Sequence, residues 1–145
     1  MARITLKIPW RYRACMFSLI TLSWVSGVAF FVMNRWLTIE GEFGLEKHPA
    51  QATVLKLHAA SAFLMMVSYG YLLATHVPAG YRSRRQRILG LGLVGAIGFL
   101  IVTAYGLYYV GGENFRSLIG YAHAAVGFVF PLLMAFHIIT GKSRK

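Results

Sequence analysis

The sequence predicts an all-α integral membrane protein, a four-helix bundle of up-down-up-down topology with both termini in the cytoplasm. Three observations predict this fold class. The chain of 145 residues is 57% hydrophobic with a mean hydropathy of +0.59, which is too apolar for an ordinary soluble domain. It contains four long runs without a charged residue, and most of its basic residues flank those runs on one side of the predicted membrane.

The four uncharged runs predict the transmembrane helices. Each contains at least about 18 residues without Asp, Glu, Lys or Arg, enough to cross a hydrocarbon core about 30 Å thick. We place the helices at about residues 14–33, 54–76, 88–110 and 117–140 of a single membrane domain, residues 1–145. Pro78 marks the end of the second helix, because proline ends a helical pattern. Since Ser26-Gly-Val-Ala29 is a poor cleavage site, the first helix is interpreted as an uncleaved signal anchor.

The formal net charge of +11 comes from basic residues whose distribution along the chain indicates the membrane topology. Nucleic-acid binders gather basic residues on one solvated face, whereas here these residues flank apolar helices, which argues against a nucleic-acid partner. Eleven of the fifteen basic residues lie before helix one, in the second loop or after helix four: Arg3, Lys7, Arg11, Arg13, Arg82, Arg84, Arg85, Arg87, Lys142, Arg144 and Lys145. The opposite side carries all four acids. By the positive-inside rule both termini face the cytoplasm of a bacterial inner membrane.

Helix one and the single cysteine limit the covalent links and metal ligands that the chain can offer. Cys15 cannot form an intrachain disulfide, and there is no Cys-x-x-Cys-His site for covalent haem attachment. Helix one contains no histidine. It carries small and hydroxyl residues that allow membrane helices to approach closely: Ser18, Thr21, Ser23, Ser26 and Gly27. A packing role is therefore expected for this helix.

Four histidines mark the ends of helices two and four. His58 and His76 are 18 residues apart, which is five helical turns, so they share one face about 27 Å apart. His123 and His137 are 14 residues apart, or about 21 Å. Both helices begin outside, so His58 and His123 share the outer level and His76 and His137 the inner level. The matching segments that start at His58 and His123, HAASAF and HAAVGF, suggest two related helical hairpins.

These levels predict two b-type haems. A pair of imidazoles on opposite sides of a planar macrocycle supplies both axial ligands of a six-coordinate haem, and an apolar bundle supplies a dry pocket. We assign His58 and His123 to the outer haem, and His76 and His137 to the inner one. The spacings differ by about 6 Å, which helix tilt, an inclined haem or distortion at Pro131 must absorb. Without that adjustment, only the outer haem forms.

Residues around the histidines fit the same prediction. Ala62 and Gly127 each follow an outer histidine by four residues, one turn deeper on the same face, and leave room for a flat macrocycle. Basic side chains can pair with haem propionates through charge-assisted bonds. The candidates are Lys56 and Arg116 on the outer side and Arg82, Arg84 or Arg85 on the inner side. Positive-inside loop charge explains the inner arginines equally well.

Two other functions account for intramembrane histidines. A haem-free scaffold or assembly subunit would use them for hydrogen bonds between helices. A metal-transport path would need polar residues between the two levels, and helix two offers few, which makes an ion path poor.

A quinone site is implied less by particular residues than by the family resemblance given below, and each of its weak candidates is better explained as an interfacial anchor or a loop charge. They are Tyr108, Tyr109, Glu113 and Asn114 outside and Tyr81 and Arg82 inside. No residue is assigned a catalytic role, and quinone oxidoreductase activity is left open.

The histidines on helices two and four and the fourteen-residue interval resemble a known group. Residues 14–141 are similar to the small di-haem membrane cytochromes b that anchor formate dehydrogenases and nickel-iron hydrogenases. The tracts LHA, HVPAGYR and YYVGG, which begin at Leu57, His76 and Tyr108, also resemble uncharacterised four-helix bacterial membrane proteins of cytochrome-b-like type. In the anchor subunits the first helix usually supplies a haem ligand, which this chain lacks. The resemblance implies electron transfer between a periplasmic or membrane redox protein and quinone or another acceptor.

Overall fold

The computed structural model describes residues 8–84 and 86–143, without the side chains of the last two of these. The protein is all-α, 83% helical, and has four helices long and apolar enough to cross a membrane, as the sequence predicts. Six of the basic residues used to infer topology lie outside the described residues or have undescribed side chains: Arg3, Lys7, Arg85, Lys142, Arg144 and Lys145. The chain divides into two compact units, Ile8–Tyr69 and the part from Gly70 onward.

The first unit is an antiparallel helical hairpin. Helix α1, Trp10–Trp36, is followed by strands β1, Thr38–Gly41, and β2, Gly44–Lys47, and then by α2, Ala50–Ala74, which continues into the second unit. The Tyr12 hydroxyl at the start of α1 donates to the Ser68 carbonyl of α2 at 2.5 Å. At the other end Gln51 Nε2 donates to Asn34 Oδ1 at 3.2 Å. These contacts join opposite ends of the two helices, so the helices run antiparallel.

Between α1 and α2 the chain forms a β-hairpin, for which the sequence reasoning assigned no secondary structure. The strands pair antiparallel, with Thr38 opposite Lys47 and Gly41 opposite Gly44. Gly44 has a φ of +121°, a backbone conformation that glycine adopts without steric cost. Lys47 Nζ donates to the Asn34 carbonyl at 2.9 Å and thereby ties the hairpin to the end of α1.

Helix α2 ends earlier than predicted. It stops at Ala74, and a separate helix α3, His76–Arg82, follows Thr75. Pro78 explains the break, because its ring has no N–H and clashes with the carbonyl four residues earlier, that of Ala74. Two expectations are thereby corrected: His58 and His76 do not share one uninterrupted helix, and most of the predicted loop 77–87 is helical.

The second unit contains an antiparallel pair, α4 and α5. Helix α4 spans Arg87–Tyr109 and α5 spans Glu113–Ser143, continuing through Pro131. Gln86, which precedes α4, donates from Nε2 to the Thr140 hydroxyl near the end of α5 at 2.6 Å. At the opposite end, a methyl group on Gly106 of α4 would lie 3.4 Å from Ile119 Cδ1 of α5. Gly106 therefore lies at the contact between α4 and α5, where a small residue allows two helices to approach closely.

Large apolar side chains are exposed along each of the four long helices. Val25, Val67, Val102 and Leu132 all have more than half of their surface accessible. A soluble protein does not expose apolar surface along the whole length of its helices, whereas lipid tails solvate such surface without cost. The exposed faces are therefore compatible with a multi-pass membrane protein.

His48 has a structural role that makes a first prediction. Its Nδ1 accepts a hydrogen bond from the backbone N–H of Ala50, the first residue of α2, at 3.2 Å. Since the first N–H groups of a helix have no intrahelical partner, His48→Ala should lower the free energy of unfolding by about 1 kcal/mol. His48→Asn, which keeps a side-chain acceptor, should lose less. Circular-dichroism unfolding in detergent measures both variants, and equal losses would contradict the capping role.

Candidate functional site

His58 is fixed against α1 within the first unit. Its Nδ1 lies 2.8 Å from the carbonyl oxygen of Ser23. The Ser26 hydroxyl donates to the Leu22 carbonyl at 2.6 Å and lies 3.5 Å from the same imidazole nitrogen. Ser23 and Ser26 are both buried. The small and hydroxyl residues of helix one thus surround one face of the His58 ring.

The Ser23 contact determines the tautomer of His58. A backbone carbonyl can only accept a hydrogen bond, so Nδ1 must carry the proton. In the neutral imidazole the lone pair that can bind a metal is then on Nε2. The ring also lies very close to α1, because a methyl group on Gly27 would be 2.9 Å from His58 Cε1. Only a residue without a side chain leaves room for the imidazole here.

His123 has the same arrangement within the second unit. Its Nδ1 lies 2.8 Å from Thr103 Oγ1 on α4. The same hydroxyl oxygen lies 2.7 Å from the Phe99 carbonyl oxygen and 3.1 Å from that of Leu100. When its one proton goes to either carbonyl, the hydroxyl oxygen accepts a hydrogen bond from His123, whose proton is then on Nδ1 and whose lone pair is on Nε2.

The inner histidines, His76 and His137, are near each other. Both belong to the second unit, at the start of α3 and in α5, and they are close enough to interact electrostatically. The Nδ1 atoms of both rings are buried, and among the described residues neither has a hydrogen-bond partner. These rings thus lack the Nδ1 acceptor that fixes each outer histidine.

His76 and His137 lie near each other within the second unit. His58 belongs to the first unit and His123 to the second. The pairing of His58 with His123 therefore stays a prediction from the sequence.

The other predicted binding residues occupy different environments. Ala62 is half-buried. Gly127 is half-buried and faces α4, where a methyl group on it would lie 3.9 Å from Leu100 Cδ2. The basic candidates Lys56, Arg82 and Arg116 are all exposed. Lys56 lies two residues before His58 on α2, and Arg116 lies in the first turns of α5, so charged groups flank the outer histidines along the chain.

The quinone candidates are mostly exposed at helix ends. Tyr108 and Tyr109 are each about 70% exposed, and the Tyr109 ring contacts that of Tyr105 at a centroid separation of 4.4 Å. Tyr81 lies under the Arg87 guanidinium, 4.2 Å from the ring centroid. Arg87 Nε also donates to the Tyr81 carbonyl at 2.7 Å. Tyr81 and Arg87 thus hold the turn between α3 and α4, and the interfacial-anchor explanation accounts for these aromatics.

Sequence reasoning missed three groups that contact the histidines. The Ser23 carbonyl and the Gly27 gap were treated as ordinary helix packing, and Thr103 was not considered. The available signal was weak: a hydroxyl or small residue on the helix that precedes each histidine, at a position that depends on the register of the hairpin.

The described residues contain no cluster of three or more His, Cys, Asp or Glu side chains that could hold a metal ion. A haem would need only two protein ligands for its iron, fewer than such a cluster supplies. Comparison of the chain with protein-family models, with curated proteins and with solved structures finds no match.

Proposed function

We propose that this protein is a membrane b-type cytochrome that binds two haems through histidine pairs and transfers electrons across the bacterial inner membrane. The observation that carries the proposal is the shared state of His58 and His123. The Nδ1 of each lies 2.8 Å from an oxygen on the preceding helix, a carbonyl oxygen for His58 and a hydroxyl oxygen for His123. With the proton on Nδ1, each has its lone pair on Nε2, the nitrogen through which histidine binds haem iron in this tautomer.

The outer pair fits the chemistry of axial ligation. Histidines that bind metals almost always donate their other ring N–H to a carbonyl, a carboxylate or water, which fixes the ring and makes it a better ligand. Ser23 supplies such a carbonyl to His58, and Thr103 supplies a hydroxyl oxygen to His123. In the proposed bundle, Ala62 and Gly127 lie one turn deeper and leave space beside the ligands.

The assignment of the inner pair is supported by the proximity of the two rings and by the free-energy cost of burying their unpartnered Nδ1 atoms. Burying a polar ring nitrogen without a partner costs free energy, and both His76 and His137 do this. A histidine kept only to join helices would make a hydrogen bond with that nitrogen. We assign the inner haem to this pair, with Arg82 and Arg84 as candidates for its propionates.

When bound, haem supplies one-electron oxidation and reduction of its iron. The chain supplies everything else: His58, His123, His76 and His137 hold and orient the group, and the apolar helices exclude water. Lys56 and Arg116 would neutralise the outer propionates. Two histidines would hold each haem, and the chemistry that such a group would supply is electron transfer rather than oxygen activation.

The orientation of the chain in the membrane follows from the distribution of its basic residues. We propose an up-down-up-down bundle with cytoplasmic termini, because eleven of the fifteen basic residues belong to one side by sequence. The partners are membrane lipid, a periplasmic or membrane redox protein, and quinone or another acceptor. This assignment rests on the resemblance to the small membrane cytochromes b.

The same hydrogen bonds also favour a second candidate, a haem-free membrane scaffold. In that function His58 and His123 would join α2 to α1 and α5 to α4, as their Nδ1 contacts do. At His58 and His123, the two functions differ only in what the Nε2 atoms bind.

An optical spectrum separates the two functions. The full chain, expressed with ample haem precursor and purified in detergent, should show a reduced b-type α band after dithionite. Extraction should yield two haems per chain. One haem per chain would remove the inner site from the proposal, and absence of the band would overturn the cytochrome and leave the scaffold.

A further inference from the structure

We infer that each helical hairpin carries its own positioning group for its outer histidine: the Ser23 carbonyl for His58 and the Thr103 hydroxyl for His123. The role in haem ligation rests on the proposed function. The Nδ1–H tautomer of His58 follows from its carbonyl partner, that of His123 is part of the inference, and neither depends on a bound group.

The two helical hairpins share the same arrangement of histidine and oxygen. In each, the histidine lies on the second helix and its Nδ1 meets an oxygen on the first, 2.8 Å away. Ser23 precedes His58 by 35 residues and Thr103 precedes His123 by 20. The difference in chain length includes the β-hairpin between α1 and α2, which has no counterpart between α4 and α5.

Each acceptor is itself held in place. Thr103 Oγ1 lies 2.7 Å from the Phe99 carbonyl oxygen and 3.1 Å from that of Leu100, and either carbonyl can take the hydroxyl proton and leave a lone pair of the oxygen toward His123. The Ser23 carbonyl lies in a buried turn where Ser26 Oγ also contacts it, at 3.1 Å. A fixed acceptor holds the ring at one rotation about its Cβ–Cγ bond, and so fixes the direction of Nε2.

Helix one acquires a function through this arrangement. It contains no histidine, yet it supplies the acceptor that orients the ligand on α2. In the proposed cytochrome, helix one would supply no ligand and would act on haem ligation only through a backbone carbonyl that orients His58.

His48 provides an internal reference for the tautomers. Its Nδ1 accepts from the Ala50 N–H at 3.2 Å, so the neutral ring carries its proton on Nε2. The inferred tautomers thus place the proton of His58 and His123 on Nδ1 and that of His48 on Nε2.

Nitrogen NMR of the full chain tests the inference without haem. Histidine-labelled protein from a haem-deficient host, in detergent, should show Nδ1–H tautomers for His58 and His123 and an Nε2–H tautomer for His48. In Thr103→Val, His123 should lose the pure Nδ1–H pattern, while Thr103→Ser should retain it. Thr21→Val, the same chemical change at an exposed position of α1, should leave all three unchanged.

A second measurement uses the haem-loaded chain. Thr103→Val should weaken retention of the outer haem about 10- to 100-fold, as loss of such a partner does at metal sites. It should also raise the midpoint potential of that haem, because an imidazole without an Nδ1 acceptor donates less electron density to iron. Thr103→Ser should restore both properties, which a purely steric role would not require.

The outcomes separate this inference from the proposed function. An Nε2–H tautomer for His58 or His123 in the unsubstituted chain, or an unchanged His123 tautomer in Thr103→Val, overturns the positioning groups even where haem is present. The expected tautomers in a chain that never binds haem uphold the hydrogen bonds and overturn the cytochrome.

Discussion

Replacing either His58 or His123 with alanine should reduce the haem content from two per chain to one, and the double variant should lose no more than each single one. The two residues are proposed as opposite axial ligands of one iron, so removal of either destroys the same six-coordinate site. Pyridine haemochrome assay of the purified chain measures the ratio. The spectrum of the remaining haem should be the same in all three variants.

The inner histidines supply the matching experiment. His76→Ala and His137→Ala should each remove the other haem, so combining either with His58→Ala should leave none. His48→Ala removes a histidine outside both pairs and should keep two haems per chain. If His58→Ala and His123→Ala together remove both haems while each alone removes one, the two residues ligate different haems and the pairing by level is wrong.

The four long helices were predictable because hydrocarbon imposes a simple rule on sequence. A segment that crosses it excludes charge over about 18 residues or more, and the structure confirms four such helices. The ends were less predictable. Helix α1 extends to Trp36 and α5 begins at Glu113, because backbone hydrogen bonds persist beyond the uncharged run that marks the membrane core.

Local backbone chemistry accounts for the other differences. Pro78 was correctly recognised as a helix breaker, but its steric conflict is with the carbonyl of Ala74, so the helix ends before His76 rather than after it. The β-hairpin is too short for periodicity to identify, since each strand has only four residues. Its Gly44 turn depends on a positive φ that composition alone does not reveal.

The histidines and their partners differ in how visible they are in a sequence. An imidazole in an apolar helix stands out because it is costly to bury. The Ser23 carbonyl has no signature, since every residue has a backbone carbonyl. Thr103 is visible only as one hydroxyl on α4, and the register that places it opposite His123 depends on how the α4 and α5 side chains interlock.

Gly27→Ala should destabilise the chain while leaving all four ligand candidates intact. The added methyl group would lie 2.9 Å from Cε1 and 3.1 Å from Nδ1 of His58, well inside the separation of about 3.5–4.0 Å that carbon atoms prefer. The ring cannot turn away without lengthening the 2.8 Å contact to the Ser23 carbonyl. We expect a loss of about 1–3 kcal/mol in the free energy of unfolding from overpacking, together with loss of the His58 Nδ1–H tautomer.

Gly70→Ala is the matched control. It makes the same change on a long apolar helix, but nothing lies within 4 Å of the added methyl group. Such a substitution should be neutral or stabilise the chain by about 0.4–1 kcal/mol, because alanine restricts the unfolded chain more than glycine does. Unfolding in detergent, followed by circular dichroism, compares the two variants, and equal effects would show that the contact with His58 is not the cause.

The cause can be isolated by repeating Gly27→Ala in a chain that already carries His58→Ala. With the imidazole removed, the added methyl group has space, and the cost of Gly27→Ala should fall to that of Gly70→Ala. Residues in contact give such a coupling, whereas distant sites add independently within about 0.3–0.5 kcal/mol. A full cost that persists without His58 would mean that Gly27 serves the packing of α1 alone. A cost that disappears would show that glycine is needed at position 27 of α1 because it leaves space for the imidazole of His58 on α2.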